Sequence, residues 1–139
     1  MALEETYYAY NPWWEGKKFD SGIPRHGYLA EIDKTFSRKQ IDIIIGSRRV
    51  GKTTFLKQLI KTSIERNVPA KNILYLALDN PKFVTVPISE HLRLFRTIFM
   101  HSRDEKLYLF LDEVHESPNW EAEIKAIYDL ENLKIVCTG

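Results

Sequence analysis

Ile41-Asp42-Ile43-Ile44-Ile45-Gly46-Ser47-Arg48-Arg49-Val50-Gly51-Lys52-Thr53-Thr54 is the stretch that decides the fold. A mostly apolar run of strand length passes into G-x-x-x-x-G-K-T. Phe55, Leu56, Leu59, Ile60 and Ile64 then follow at helical spacing. Each fixed position has a chemical reason. Gly46 and Gly51 allow torsions that turn backbone N–H groups inward, and a helix N-terminus adds partial positive charge. Lys52 would reach the β and γ oxygens of a polyphosphate, and the Thr53 hydroxyl would ligate Mg2+. The predicted nucleotide-binding set is Gly46, Ser47, Arg48, Arg49, Val50, Gly51, Lys52, Thr53 and Thr54. Read as a bare glycine turn, the same stretch would leave the Lys52 charge unpaired at a helix start and opposed by the helix dipole. Arg48 and Arg49, at the variable positions, read either as solvated loop arginines or as contacts to phosphate or a neighbouring subunit.

Three further apolar runs lie downstream: Ile73 to Leu78, Leu107 to Leu111 and Leu133 to Cys137. Between them, Leu92, Phe95, Ile98 and Phe99 form one helical stripe and Trp120, Ile124, Ile127 and Tyr128 another. Near-continuous apolar strands alternating with amphipathic helices predict an α/β fold, a parallel sheet covered on both faces by right-handed crossovers. The third run ends in Asp112-Glu113, which puts two carboxylates at the sheet edge where ligands bind in open α/β folds. Alone, such a pair reads as a solvated loop start. After a phosphate-binding loop it reads as an Mg2+ carboxylate, Asp112, and a water-activating Glu113, with Glu113 and Lys52 as catalytic candidates. His115 reads as a solvated loop histidine and is left out of the site. Asp79 and Asn80 read either as contacts to the nucleotide water network or as a turn before Pro81.

Residues 1–24 hold Tyr7, Tyr8, Tyr10, Trp13, Trp14 and Phe19 among Asn, Pro and Gly, and are predicted as an irregular arm. Its aromatics serve either as cover for the sheet or as a docking or adenine-stacking surface, and in an extended segment Trp13 and Trp14 would point apart. Residues 25–139 form the predicted nucleotide-binding domain, starting with a short helix from Tyr28 to about Ser37.

With 139 residues, 44% hydrophobic and 28% charged, the chain can bury a core without disulfides or structural metal. A net charge of +1 gives no electrostatic footprint for nucleic acid or an acidic membrane. Cys137, the single cysteine, reads as a buried strand residue. No apolar run approaches a membrane span and the N-terminus lacks the form of a signal peptide, so the expected location is the cytoplasm.

Gly46 to Thr54 and Leu111-Asp112-Glu113-Val114-His115 together resemble the additional-strand, AAA-like P-loop ATPases. Asn11-Pro12-Trp13-Trp14, the pair Arg25 and Tyr28, and Leu78-Asp79-Asn80-Pro81 extend the likeness to archaeal and bacterial ATPases that often carry a further C-terminal domain. The resemblance implies a P-loop NTPase three-layer sandwich with strand order 1-4-3-2, ATP and Mg2+ as cofactors, and ATP hydrolysis coupled to a partner or substrate. It also implies a homo-oligomer and a DNA or protein partner engaged through a C-terminal region. Such ATPases place a polar sensor just beyond the fourth strand, and the chain, ending at Gly139, reads as an N-terminal fragment without it. The other reading is a nucleotide-gated interaction module with little turnover. A helicase is a third, without separate nucleic-acid motifs to support it. The guanine-reading N-K-x-D signature is absent, which favours adenine.

Overall fold

The computed structural model describes residues 2–22, 41–44 and 51–139. Ile45, the predicted phosphate-binding residues Gly46, Ser47, Arg48, Arg49 and Val50, the predicted helix from Tyr28, and Arg25 lie outside the described residues.

Four strands, β1 (Ile41–Ile44), β2 (Ile73–Ala77), β3 (Leu107–Asp112) and β4 (Leu133–Thr138), form one parallel sheet in the order β1-β4-β3-β2. That is the order expected from the resemblance. The long helices are α2 (Lys52–Glu65), α4 (Ile88–Phe99) and α5 (Trp120–Leu130), joined by the short α3 (Pro81–Val84). The path from β1 to β2 crosses the sheet in one direction, and the path from β2 through β3 to β4 returns in the other. Right-handed crossovers therefore put α2 on one face and α4 and α5 on the opposite face. This explains why β2 and β4 are buried at every position, without polar alternation. The predicted stripes supply the contacts: Phe55, Leu56, Leu59 and Ile60 from α2, Leu92 and Phe95 from α4, and Ile124 and Ile127 from α5 are all buried.

The amino-terminal arm departs from expectation. Ala2–Tyr10 is a helix, α1, and Pro12–Glu15 a 3-10 turn closed by Gly16 in the left-handed region. Leu3, Tyr7 and Tyr10 stand on one stripe of α1, and Tyr7 is buried, stacked on Phe83 with ring centroids 5.7 Å apart. Tyr7 Oη lies 2.5 Å from His91 Nδ1, and His91 Nε2 lies 2.8 Å from the Phe83 carbonyl. Only a protonated Nε2 can bond a carbonyl, so His91 is the Nε2–H tautomer and Nδ1 accepts from the phenol. Because Trp13 and Trp14 sit on a turn rather than an extended chain, they do not point apart. Both indoles donate to the carbonyl of Ile73, at 3.2 and 2.7 Å.

That carbonyl belongs to β2, which has β3 as its one strand neighbour among the described residues. Asn11 completes the cover: its Oδ1 accepts from Tyr75 N–H at 2.7 Å and its Nδ2 donates to Tyr75 O at 3.2 Å. One carboxamide thus supplies the donor and acceptor that a further strand would have given, and the arm seals an edge open to pairing. At the opposite end, β1 pairs with β4 among the described residues, and Ile43 is 50% exposed. Lys134, fully buried in β4, donates to Asp42 of β1 at 2.6 Å. Cys137 is buried beside them, where burial and the Asp42 charge push its thiol up to about 12, as expected of a strand residue rather than a nucleophile.

Candidate functional site

The site lies at the carboxyl ends of β3 and β4, facing the first turn of α2. Gly51 caps that helix with φ 69° and ψ 43°, a left-handed conformation that costs glycine nothing and other residues about 1 kcal/mol or more. The first helical bond runs from Phe55 N–H to Gly51 O at 2.9 Å, so the amides of Lys52, Thr53 and Thr54 precede the first intrahelical bond and point out of the helix start. Lys52 is buried and donates to the Gly139 carbonyl at 3.0 Å, which carries its ammonium across to the end of β4.

Asp112 is the hub. Thr53 Oγ1 donates to its Oδ2 at 2.6 Å and Tyr75 Oη to the same oxygen at 2.8 Å, while Thr138 Oγ1 donates to Oδ1 at 2.6 Å. Three hydroxyls from α2, β2 and β4 thus converge on one carboxylate that is 3% exposed. Burial, and after it the charge and hydrogen bond of Asp112, hold the Tyr75 phenol well above its usual range, so it stays a donor. Lys57, one turn further along α2, stands 4.2 Å over the Tyr75 ring and 5.5 Å over Trp13. Burial pulls its ammonium below the ordinary lysine value, with Asp112 acting against that pull.

Glu113 follows in the left-handed region, φ 54° and ψ 47°, with its N–H donating to Thr138 Oγ1 at 3.2 Å. Its carboxylate lies 3.4 Å from His115 Nε2, which is also 3.4 Å from Glu116. The backbone carbonyl of Asp112 accepts from Leu78 N–H at 2.9 Å, tying β2 to β3 at the rim. A cleft of about 340 Å³ opens among Gly51, Lys52, Thr53, Thr54, Asp79, Asp112 and Glu113.

Six of the residues read from the sequence, Gly51, Lys52, Thr53, Thr54, Asp112 and Glu113, therefore line one cleft. Gly46, Ser47, Arg48, Arg49 and Val50 lie outside the described residues. Asp79 is on the rim, and Asn80 instead caps α3 through Lys82 N–H and donates to Tyr10 Oη at 2.7 Å. His115, left out of the site, is in contact with Glu113. Two residues escaped the sequence reading. Tyr75 is the single hydroxyl in the run Ile73 to Leu78. Thr138, the last residue of β4, reaches Asp112 from the strand itself.

The donor set fits Mg2+. That ion takes oxygen ligands and is ordinarily held by one or two protein oxygens together with substrate phosphates, rather than by a full protein cage. Thr53 gives its proton to Asp112 and lines the cleft, so its oxygen can offer a lone pair there. Among the described residues no cluster of three His, Cys, Asp or Glu side chains forms a cage. The arm reaches this site as well: Gly22 has φ +69°, and a Cβ there would stand 2.5 Å from Thr54 Cγ2.

A family model described as an AAA domain matches residues 38–139. An uncharacterized protein of Methanocaldococcus jannaschii is 30% identical over 131 residues, covering 90% of this chain and 26% of its own length. An uncharacterized protein of Haemophilus influenzae is 28% identical over 117 residues, covering 84% of this chain and 29% of its own. The chain thus spans about a quarter of the length of these curated relatives. No solved structure gives a significant match. Among the described residues, no helix is long and apolar enough to cross a membrane.

Proposed function

The chain belongs to the AAA domain family, and from that premise we propose that it binds ATP with Mg2+ and hydrolyses it, coupling nucleotide state to a partner. The observation that carries the reading is the 2.6 Å bond from Thr53 to Asp112, which joins the two metal-binding candidates across the mouth of the cleft. Thr53 and Asp112 would hold Mg2+, which when bound neutralises phosphate charge. Lys52 exchanges the Gly139 carbonyl for β and γ phosphate oxygens, a stronger acceptor for an ammonium. The outward amides of the first turn of α2 would cradle the same phosphates. Glu113, which lines the same cleft, would accept a proton from the attacking water or orient it.

One observation favours slow turnover, the nucleotide-gated module: Glu113 is turned to His115 at 3.4 Å and must leave it to serve as a base. We propose in addition a homo-oligomer, a DNA or protein partner and a cytoplasmic location.

Calorimetric titration with ATP and GTP in Mg2+, alongside phosphate release, tests the reading. ATP is expected to bind saturably. Lys52→Ala is expected to weaken binding at least tenfold, the order of one lost charge-assisted contact or more. Glu113→Gln is expected to keep binding and lose release by about a hundredfold or more, within the range of general base catalysis. A folded protein that ignores millimolar nucleotide sinks the proposal. Binding without release in the unaltered protein leaves the module.

A further inference from the structure

Tyr75 and Asp112 share a face of the sheet. Tyr75 pairs with Phe110 and Ala77 with Asp112, so the phenol stands two residues back from the metal-holding carboxylate on the same side and reaches forward to it. It bonds Oδ2, the oxygen that also takes the Thr53 proton. A carboxylate held by Thr53 alone could turn about its Cα–Cβ bond. Held by Thr53 and Tyr75 on one oxygen and Thr138 on the other, it has one orientation.

The arm in turn fixes Tyr75 from two directions. Asn11 binds both its backbone N–H and its C=O, and Lys57 lies over its ring while also facing Trp13. The two indoles anchor the same strand two residues earlier, at Ile73. Tyr75 is 3% exposed, so no water competes for these bonds. An unbroken line of contacts leads from an arm more than sixty residues away in sequence to the oxygen that holds Thr53. Edge cover alone would need Asn11 and the indoles. It gives no reason for a hydroxyl on the strand they cover, aimed at Asp112.

We propose that Tyr75 is a positioning residue for the metal-holding carboxylate, and that the amino-terminal arm, by fixing Tyr75, sets how readily the nucleotide site takes up divalent cation. The inference rests on the Mg2+-ATP reading above. Groups that orient metal-holding carboxylates typically change metal affinity by ten- to a hundredfold when removed.

The experiment measures affinity for a fluorescent ATP analogue, first in EDTA and then across a Mg2+ titration, for the unaltered protein, Tyr75→Phe, Asn11→Ala and Asp112→Asn. Tyr75→Phe is expected to match the unaltered protein in EDTA and to need roughly tenfold more Mg2+ for half of the metal-dependent tightening. Asn11→Ala, which removes both bonds to the Tyr75 backbone and leaves the phenol in place, is expected to move the requirement the same way by about threefold, less than loss of the phenol because it acts on Asp112 only through Tyr75. An unchanged Mg2+ requirement in Tyr75→Phe, with Asp112→Asn having lost its response, overturns the inference and leaves the Mg2+-ATP reading standing. Equal weakening with and without metal means general damage to the cleft and also overturns it. An unaltered protein indifferent to Mg2+ overturns both. Should loss of the phenol unfold the sheet, Asn11→Ala carries the test, and no shift there removes the arm from the proposal.

Discussion

Thr138 uses one hydroxyl twice, donating to Asp112 at 2.6 Å and accepting from Glu113 N–H at 3.2 Å. It therefore ties the candidate metal carboxylate to the backbone of the candidate base, which sits at φ 54°, a conformation that costs a glutamate about 1 kcal/mol or more and persists only while neighbours enforce it. Thr138→Val keeps the shape, leaves the Glu113 amide without that acceptor and frees one carboxylate oxygen. The expected result is a turnover about tenfold lower with ATP affinity within about twofold, and a stability loss of about 1–3 kcal/mol for the unmet buried group. Thr138→Ser, which retains the hydroxyl, should be close to the unaltered protein in both phosphate release and urea unfolding. A normal turnover in the valine variant removes Thr138 from the site. Lys52, Thr53, Asp112 and Glu113 were legible because phosphate and magnesium chemistry admit few residue types at fixed spacings. Tyr75 and Thr138 were not, since a tyrosine or threonine in an apolar strand reads as packing until the register shows which strand ends meet.

Opposite charges inside two apolar strands are the feature that decides how β1 is held. Asp42 interrupts the run Ile41 to Ile44 and Lys134 interrupts Leu133 to Thr138, and the fully buried ammonium finds the carboxylate at 2.6 Å. Neither residue declared a partner in the sequence, because strand order is a property of the sheet and not of either segment. Removing Asp42 takes the 2.6 Å carboxylate away from a fully buried ammonium in a low dielectric, whereas replacing both with apolar groups removes the desolvation cost as well. Asp42→Ala is therefore expected to lose about 3 kcal/mol or more in chemical unfolding, and Asp42→Val with Lys134→Met to lose far less than the single change. Equal losses in the two proteins would mean that the strands, not the ion pair, determine the pairing. Helix α1 was missed for a different reason. Leu3, Tyr7 and Tyr10 have helical spacing, but Tyr8, one residue round the helix and packed on Trp14, and the two tryptophans of the 3-10 turn add apolar residues off that stripe, and they blur the period.

At the scale of the whole molecule, acid acts on the same arm through His91. Burial holds its imidazole below the usual histidine value, against the Phe83 carbonyl and the Glu90 charge, which act to raise it. His101 is lowered in the same way, by burial first and with Arg96 adding to it, against the Lys71 carbonyl and the Glu105 charge. A base whose folded pKa is lowered is protonated more readily in the unfolded chain. Stability is thus full above the unfolded value of about 6.5 and is lost as pH falls through it. Below that point the fully buried His91 alone removes about 1.4 kcal/mol per pH unit until its folded pKa is reached. A proton on Nδ1 also turns the acceptor of the Tyr7 phenol into a donor, so the bond that seats α1 persists only with its direction reversed, the phenol oxygen accepting and its own proton losing its acceptor. Urea unfolding between about pH 7.5 and pH 5.5 should show a midpoint falling with acidity, above the range where carboxylates titrate. Tryptophan fluorescence should follow it, since Trp13 and Trp14 are buried by the arm they belong to. His91→Asn, which cannot titrate, should start less stable and flatten most of the slope. A slope as steep in that variant as in the unaltered protein would assign the acid sensitivity to His101 and free the arm from it.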